Sequence, residues 1–160
     1  MHYFIFPSQD TWISSGSNKI TGIPETDQNF GQDEILEVKK EFYNGSFDYP
    51  TRALVQFGGE DFTFISKSVE DGSIKDPKFF LKLFEAEGNT GLADLSYTLS
   101  FHPLSSSWKE GTGKFGDKPK VTEGCSWVNR SNIRGGSAVT WSTPGVDVLS
   151  VSASIQTFEG

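Results

Sequence analysis

The stretch LSYTLSFHP, Leu95 to Pro103, alternates strictly between apolar and polar residues. Leu95, Tyr97, Leu99 and Phe101 fall on one face, and Ser96, Thr98, Ser100 and His102 fall on the other. Side chains two apart share a face only on a strand, so this period excludes a helix and calls for a half-buried strand. TRALVQFG, Thr51 to Gly58, repeats the pattern, with Ala53, Val55 and Phe57 opposite Arg52, Leu54 and Gln56.

Composition agrees. Seventeen Gly and 7 Pro punctuate the 160 residues, and long Ala/Leu/Glu/Lys runs are absent. Apolar residues make up only 35%, but 14 of the residues are Phe, and each aromatic buries a large area. The expectation is one all-β domain over residues 1–160, an antiparallel β-sandwich of jelly-roll type with one short helix. That helix is expected in EDFTFISKSVEDGSI, where Phe62, Ile65 and Val69 recur at helical spacing, acids open the stretch and Gly72 closes it.

HYFIFP reads as a first strand ending at Pro7, with DTWIS either continuing it after a bend or forming a second. Ser14 to Gly31 is a long polar loop, DEILEVK (Asp33 to Lys39) reads as a short strand, and YNGS after it reads as a turn. PKFFLKLFEAE, Pro77 to Glu87, is apolar on both faces and belongs at the centre of a sheet. It is expected to form an antiparallel hairpin with Leu95–Phe101 across GNTGLAD. Pro103 to Gly145 is polar with isolated anchors, which implies either hidden short strands or a functional surface. GVDVLSVSASIQT restores a weak alternation.

Several function classes are disfavoured. A net charge of −7, with no basic cluster beyond Lys39-Lys40, does not fit a nucleic-acid partner. No apolar run is long enough to span a membrane, and the opening MHYFIFPSQD lacks the basic start of a signal peptide. The single cysteine, Cys125, cannot form an internal disulfide and reads as a small buried residue. His2 and His102 lie in no catalytic motif, and EGTGKFGDK lacks the strand-to-helix setting of a phosphate loop, so no enzyme and no cofactor are expected. Glu25, Asp27, Asp33 and Glu34 lie close in sequence without calcium-loop spacing, and no metal is expected there.

Taken in order, DTWI, NFGQDEILEV, RALVQF, FFLKLF, YTLSFHPLSSSWKEGTG, CSWVNR and TWSTPG resemble the DNRLRE-type β-sandwich domain. The matching features are Asn29 to Gly31, Arg52 to Phe57, Trp108 to Thr112 and Ser126-Trp127. Tyr3 to Ile13 and the turn Trp141 to Gly145 are similar to the variant in structural proteins of large tailed phages of the cyanophage kind. The resemblance implies a non-enzymatic virion structural protein, located in the virion as a decoration, neck, baseplate or fibre component. Its implied partners are other virion proteins in a multi-copy assembly. The family pattern runs on past that turn through closing strands, whereas Gly160 follows soon after SIQTFEG. The expectation is therefore a domain that truncates its closing strands and offers an open edge to neighbours.

Trp108 in SSSWKEGTG and Trp127 in GCSWVNRSN are the sharpest local feature. They serve as plugs over one end of the sandwich, with Arg130 pairing to an acid, or as a platform for a surface glycan. In the second reading, a carbohydrate-binding module or host-surface adhesin, sugar C–H faces stack on Trp108, Trp127 and Trp141. Tyr43, Tyr49, Asp48 and Arg130 then supply further stacking and hydrogen bonds.

Overall fold

The computed structural model describes residues 2–17, 22–43, 45–84, 86, 96–150 and 154–158. These residues form eight strands and one helix. They are β1 (Pro7–Ser14), β2 (Glu41–Tyr43), β3 (Ser46–Asp48), β4 (Thr51–Phe57), α1 (Gly59–Glu70), β5 (Tyr97–Phe101), β6 (Asn129–Ser131), β7 (Val139–Thr140) and β8 (Ser154–Phe158). The chain is thus mostly strands with a single short helix, and no barrel closes among the described residues. Strands pair in twos: β1 with β4, β2 with β3, β5 with β8 and β6 with β7.

The clear period-2 segments both become strands. In β4 Thr51 and Leu54 are buried on opposite faces, with Ala53 exposed and Val55 and Phe57 half-buried, so burial does not follow the apolar face of the alternation; in β5 Leu99 and Phe101 are half-buried and Thr98 and Ser100 exposed. YNGS turns as expected. Glu41–Tyr43 and Ser46–Asp48 face each other in an antiparallel hairpin, with Gly45 at φ 87° supplying the left-handed residue. The helix falls where its stripe predicts. Ile65 and Ser68 are buried, Phe62 and Val69 flank them more exposed, and Gly72 at φ 79° follows the last turn.

Three expectations are corrected. Residues 2–6 are not strand; β1 begins at Pro7 and runs straight through DTWIS, while Phe4 and Phe6 stay exposed. Residues 33–39 form no strand, because side chains fasten that segment: Asp33 accepts the Trp12 indole N–H and Glu34 pairs with Lys114. The hairpin of Phe79–Phe84 with Leu95–Phe101 does not form. Residues 77–84 carry no strand, and β5 pairs with β8 in the register Tyr97↔Phe158 to Phe101↔Ser154. The polar side of β8 suits β5, with the Thr98 and Thr157 hydroxyls 3.2 Å apart, whereas FFLKLF needs apolar cover on both faces. Leu95 and most of GNTGLAD lie outside the described residues.

The chain gathers into two compact units. One comprises Met1–Gln9 and Val55–Gly88, and the other comprises Asp10–Leu54 and Asn89–Gly160. The larger unit holds the main core of Ile13, Leu54, Trp108, Cys125, Trp141 and Val146, with Leu104 and Trp127 packed on it. The long polar segment supplies half of that core and also hides β6 and β7.

Candidate functional site

Trp108 and Trp141 belong to the buried core, and Trp127 packs on it. Trp108 is 5% exposed and Trp141 is 3% exposed, so neither offers a face to a sugar ring. The Trp141 indole N–H donates to the Ser126 carbonyl at 2.8 Å, which satisfies its one polar atom inside the core. Trp127 is half-buried beneath the Arg52 guanidinium, whose carbon lies 4.9 Å from the ring centroid. A Cβ on Gly145 would stand 2.6 Å from the Trp127 ring, so only glycine fits that turn.

Around Asn29 the glycine-rich segments lock together. Asn29 is fully buried and uses its whole amide. Its Nδ2 donates to the carbonyls of Glu110 at 2.5 Å and Cys125 at 2.8 Å, and its Oδ1 accepts from the N–H groups of Gly31 at 3.1 Å and Gly113 at 2.8 Å. Its own N–H donates to the Val121 carbonyl at 2.9 Å. Backbone must come within touching distance for this. A Cβ on Gly111, which sits at φ 86°, would overlap the Asn29 side chain and the Glu123 carbonyl. The Glu110 carboxylate reaches the other way and accepts the Asp10 N–H at 2.9 Å. Next to this knot Trp12 stacks on Phe30 with centroids 3.8 Å apart, and Phe115 closes the aromatic group. Asn29, Phe30, Gly31, Glu110, Gly111 and Cys125, scattered in sequence, therefore work as one packing device.

Arg130 donates to the carbonyl and hydroxyl of Ser107 rather than to an acid. Tyr49 is 37% exposed at a left-handed φ of 55° beside Asp48 at the end of the β2–β3 hairpin, and the Tyr43 side chain lies outside what is described. The loop carboxylates are likewise engaged. Glu25 accepts the Ser14 hydroxyl at 2.9 Å, Asp27 pairs with Lys120 at 2.5 Å, and Asp33 and Glu34 hold Trp12 and Lys114. Among the described residues no three His, Cys, Asp or Glu side chains come together to hold a metal. Cys125 is fully buried, and burial with the nearby Glu110 charge pushes its thiol up to about 12, leaving it protonated and inert at ordinary pH.

The smaller unit carries what the sequence reading placed inside. Phe79 is 62% exposed, Phe80 86%, Leu83 56% and Phe84 80%, along a run with no strand partner. Phe62 of α1 lies 6.4 Å from Phe79 between ring centroids. Phe64 of the same helix is exposed and meets Tyr3 at 5.7 Å, and the Tyr3 hydroxyl donates to Asp61 at 2.8 Å. A run of aromatic faces in water is surface in need of cover. Its signal in the sequence was the two-faced apolar pattern, which marks a need for burial without saying what provides it. Compared with known protein families, curated proteins and solved structures, the chain matches none.

Proposed function

We propose that this chain is a non-enzymatic structural protein of a tailed-phage virion, a decoration, neck, baseplate or fibre component that binds other virion proteins. The observation that carries the reading is the exposed aromatic run Phe79–Phe84. Apolar area of this kind stabilises only when buried, and a neighbouring subunit supplies the burial in an assembly. Strand edges add to it. Among the described residues each named strand has one partner strand, so each pair keeps outer edges where a neighbour's strand can add. The resemblance of the motif set to the DNRLRE-type domain supplies the finer fold reading, an antiparallel sandwich of jelly-roll type. Its layers are completed, in this view, by strands from adjoining subunits. Proteomics of gradient-purified particles tests the assignment. The chain is expected in them at a fixed ratio to the other structural proteins, and its absence from intact particles overturns the reading.

A further inference from the structure

Between the end of α1 and the exposed aromatic run the chain passes through Asp76 and Pro77, and theirs is the only Asp-Pro bond in the sequence. A residue before proline is crowded by the proline ring and is pushed to extended backbone, with φ near about −120°. Asp76 instead sits at φ 48°, in the left-handed region. Such a conformation persists only where the chain on both sides enforces it. Here α1 supplies a hold on each side. Upstream, Ile74 is half-buried and its N–H donates to the Ser68 carbonyl at 2.8 Å. Downstream, the Phe79 ring rests against Phe62, with centroids 6.4 Å apart. The Asp76–Pro77 bond is therefore held in a crowded geometry between two points on one helix.

The Asp76 side chain is also unengaged. The neighbouring Asp71 carboxylate accepts the Ser73 N–H at 2.8 Å, and Asp33 and Asp147 likewise hold donors. Asp76 is exposed and makes no hydrogen bond or ion pair among the described residues. The charged residues beside it in the chain are Lys75 and Lys78, and neither pairs with it. A free aspartate carboxylate can reach its own backbone carbonyl carbon by closing a small ring, and an intramolecular attack of this kind has a large rate advantage over attack by water. Proline adds to it from the other side of the bond. Its tertiary amide nitrogen has weaker double-bond character to the carbonyl, and it accepts a proton and departs more readily than an ordinary peptide nitrogen.

We propose a further activity for this chain: it cleaves its own backbone between Asp76 and Pro77. An Oδ atom of Asp76 bonds to the Asp76 carbonyl carbon, the Pro77 nitrogen takes a proton from solvent, and the C–N bond breaks. The products are a cyclic anhydride at Asp76 and a free secondary amine at Pro77. Water then adds to the anhydride and opens it, which restores the side-chain carboxylate and leaves an α-carboxylate as a new C-terminus. The net change is hydrolysis of one peptide bond. Breaking that bond removes the crowding at Asp76, so the strain held by the fold is released along the reaction. The cut makes Pro77 a new N-terminus and unties the start of the aromatic run from α1. This activity is separate from the virion assignment, and its failure leaves that assignment standing.

The test is incubation of the whole chain at pH 6 and 37 °C with protease inhibitors, followed over days by mass spectrometry. Fragments 1–76 and 77–160 are expected to appear with first-order kinetics at a rate independent of protein concentration. That rate should be at least about tenfold faster than for the same chain unfolded in urea at the same pH, because unfolding releases the strained backbone. Asp76→Glu keeps the charge but requires a larger ring, and should slow cleavage by about tenfold or more. Pro77→Ala removes both the crowding and the good leaving nitrogen, and should abolish cleavage. Both substitutions lie on exposed residues, and unchanged far-ultraviolet circular dichroism checks that each variant is folded. No fragment beginning at Pro77, equal rates in the folded and unfolded chain, a rate that rises with protein concentration, or undiminished cleavage in either variant each overturns the proposal.

Discussion

Asn29 shows why a residue with no chemistry to perform can dominate this chain. Its amide satisfies two carbonyls and two N–H groups that belong to three different segments, all away from water. Removing the amide leaves those groups buried and unpaired, which costs far more than the bonds themselves contribute. Asn29→Ala should therefore lower unfolding free energy by about 3–5 kcal/mol in urea titration. Gly111→Ala should cost about 2 kcal/mol or more, since the added methyl meets Asn29 at a positive φ. Gly116→Ala, where nothing lies within 4 Å, should stay within about 0.5 kcal/mol and serves as the control. Cys125 gives a second test at this scale. Burial raises its pKa to about 12, so the folded state favours the protonated thiol. The stability this contributes is complete below the ordinary thiol value and is lost as pH rises through the folded one. A thiol reagent at pH 8 should label the unfolded chain fully and the native chain only at the rate of unfolding; prompt labelling of native protein would remove Cys125 from the core.

Among the elements, alternation was a dependable guide and apolarity alone was not. β4 and β5 alternate, and the backbone there is strand; α1 has one stripe, and the backbone there is helix. Pairing partners were not legible. Nothing in LSYTLSFHP distinguishes β8 from a nearer segment, because register depends on which polar face meets which, a property of two stretches at once. The knot around Asn29 was half legible: NFG, EGTG and GCS were visible as motifs, but their convergence depends on contacts across more than 80 positions. FFLKLF was the misleading case, since two apolar faces describe a buried strand within one chain and an interface between chains equally well. The two possibilities separate under mutation. Replacing Phe80 and Phe84 by Ser should change the stability of the isolated chain by no more than about 0.5 kcal/mol, because both rings are largely in water. The same variant should fail to incorporate into particles. A large loss of stability with the double substitution would instead place these rings inside a core of the free protein.

At the scale of the whole molecule, charge and exposed apolar surface oppose each other. The formal charge is −7 at pH 7, and repulsion of this kind opposes association of copies through their exposed aromatic surfaces. The pI is about 4.8, so acidification removes that repulsion while most carboxylates in the fold remain ionised. Three carboxylates are held below their ordinary range in the fold. The Glu34 pKa is lowered by its hydrogen bond to Lys114, the Asp71 pKa by its hydrogen bond to Ser73, and the Asp147 pKa by the backbone N–H of Ser142. A depressed carboxylate stabilises the native state above its unfolded pKa, and that stabilisation is lost as pH falls through the folded value, below the ordinary carboxylate range near about 4. The two events should therefore come in a fixed order on titration downward. Light scattering should peak near pH 4.8 with the far-ultraviolet circular dichroism still native, and the scattering should reverse when the pH is raised. Loss of dichroism should follow only at lower pH. The Ser variant at Phe80 and Phe84 should scatter less at the peak with its dichroism midpoint unmoved, because it removes exposed apolar surface and, besides that, the contact of the Lys82 ammonium with the Phe84 ring. If dichroism is lost before scattering rises, association follows unfolding, and the exposed aromatic run is not what brings the copies together.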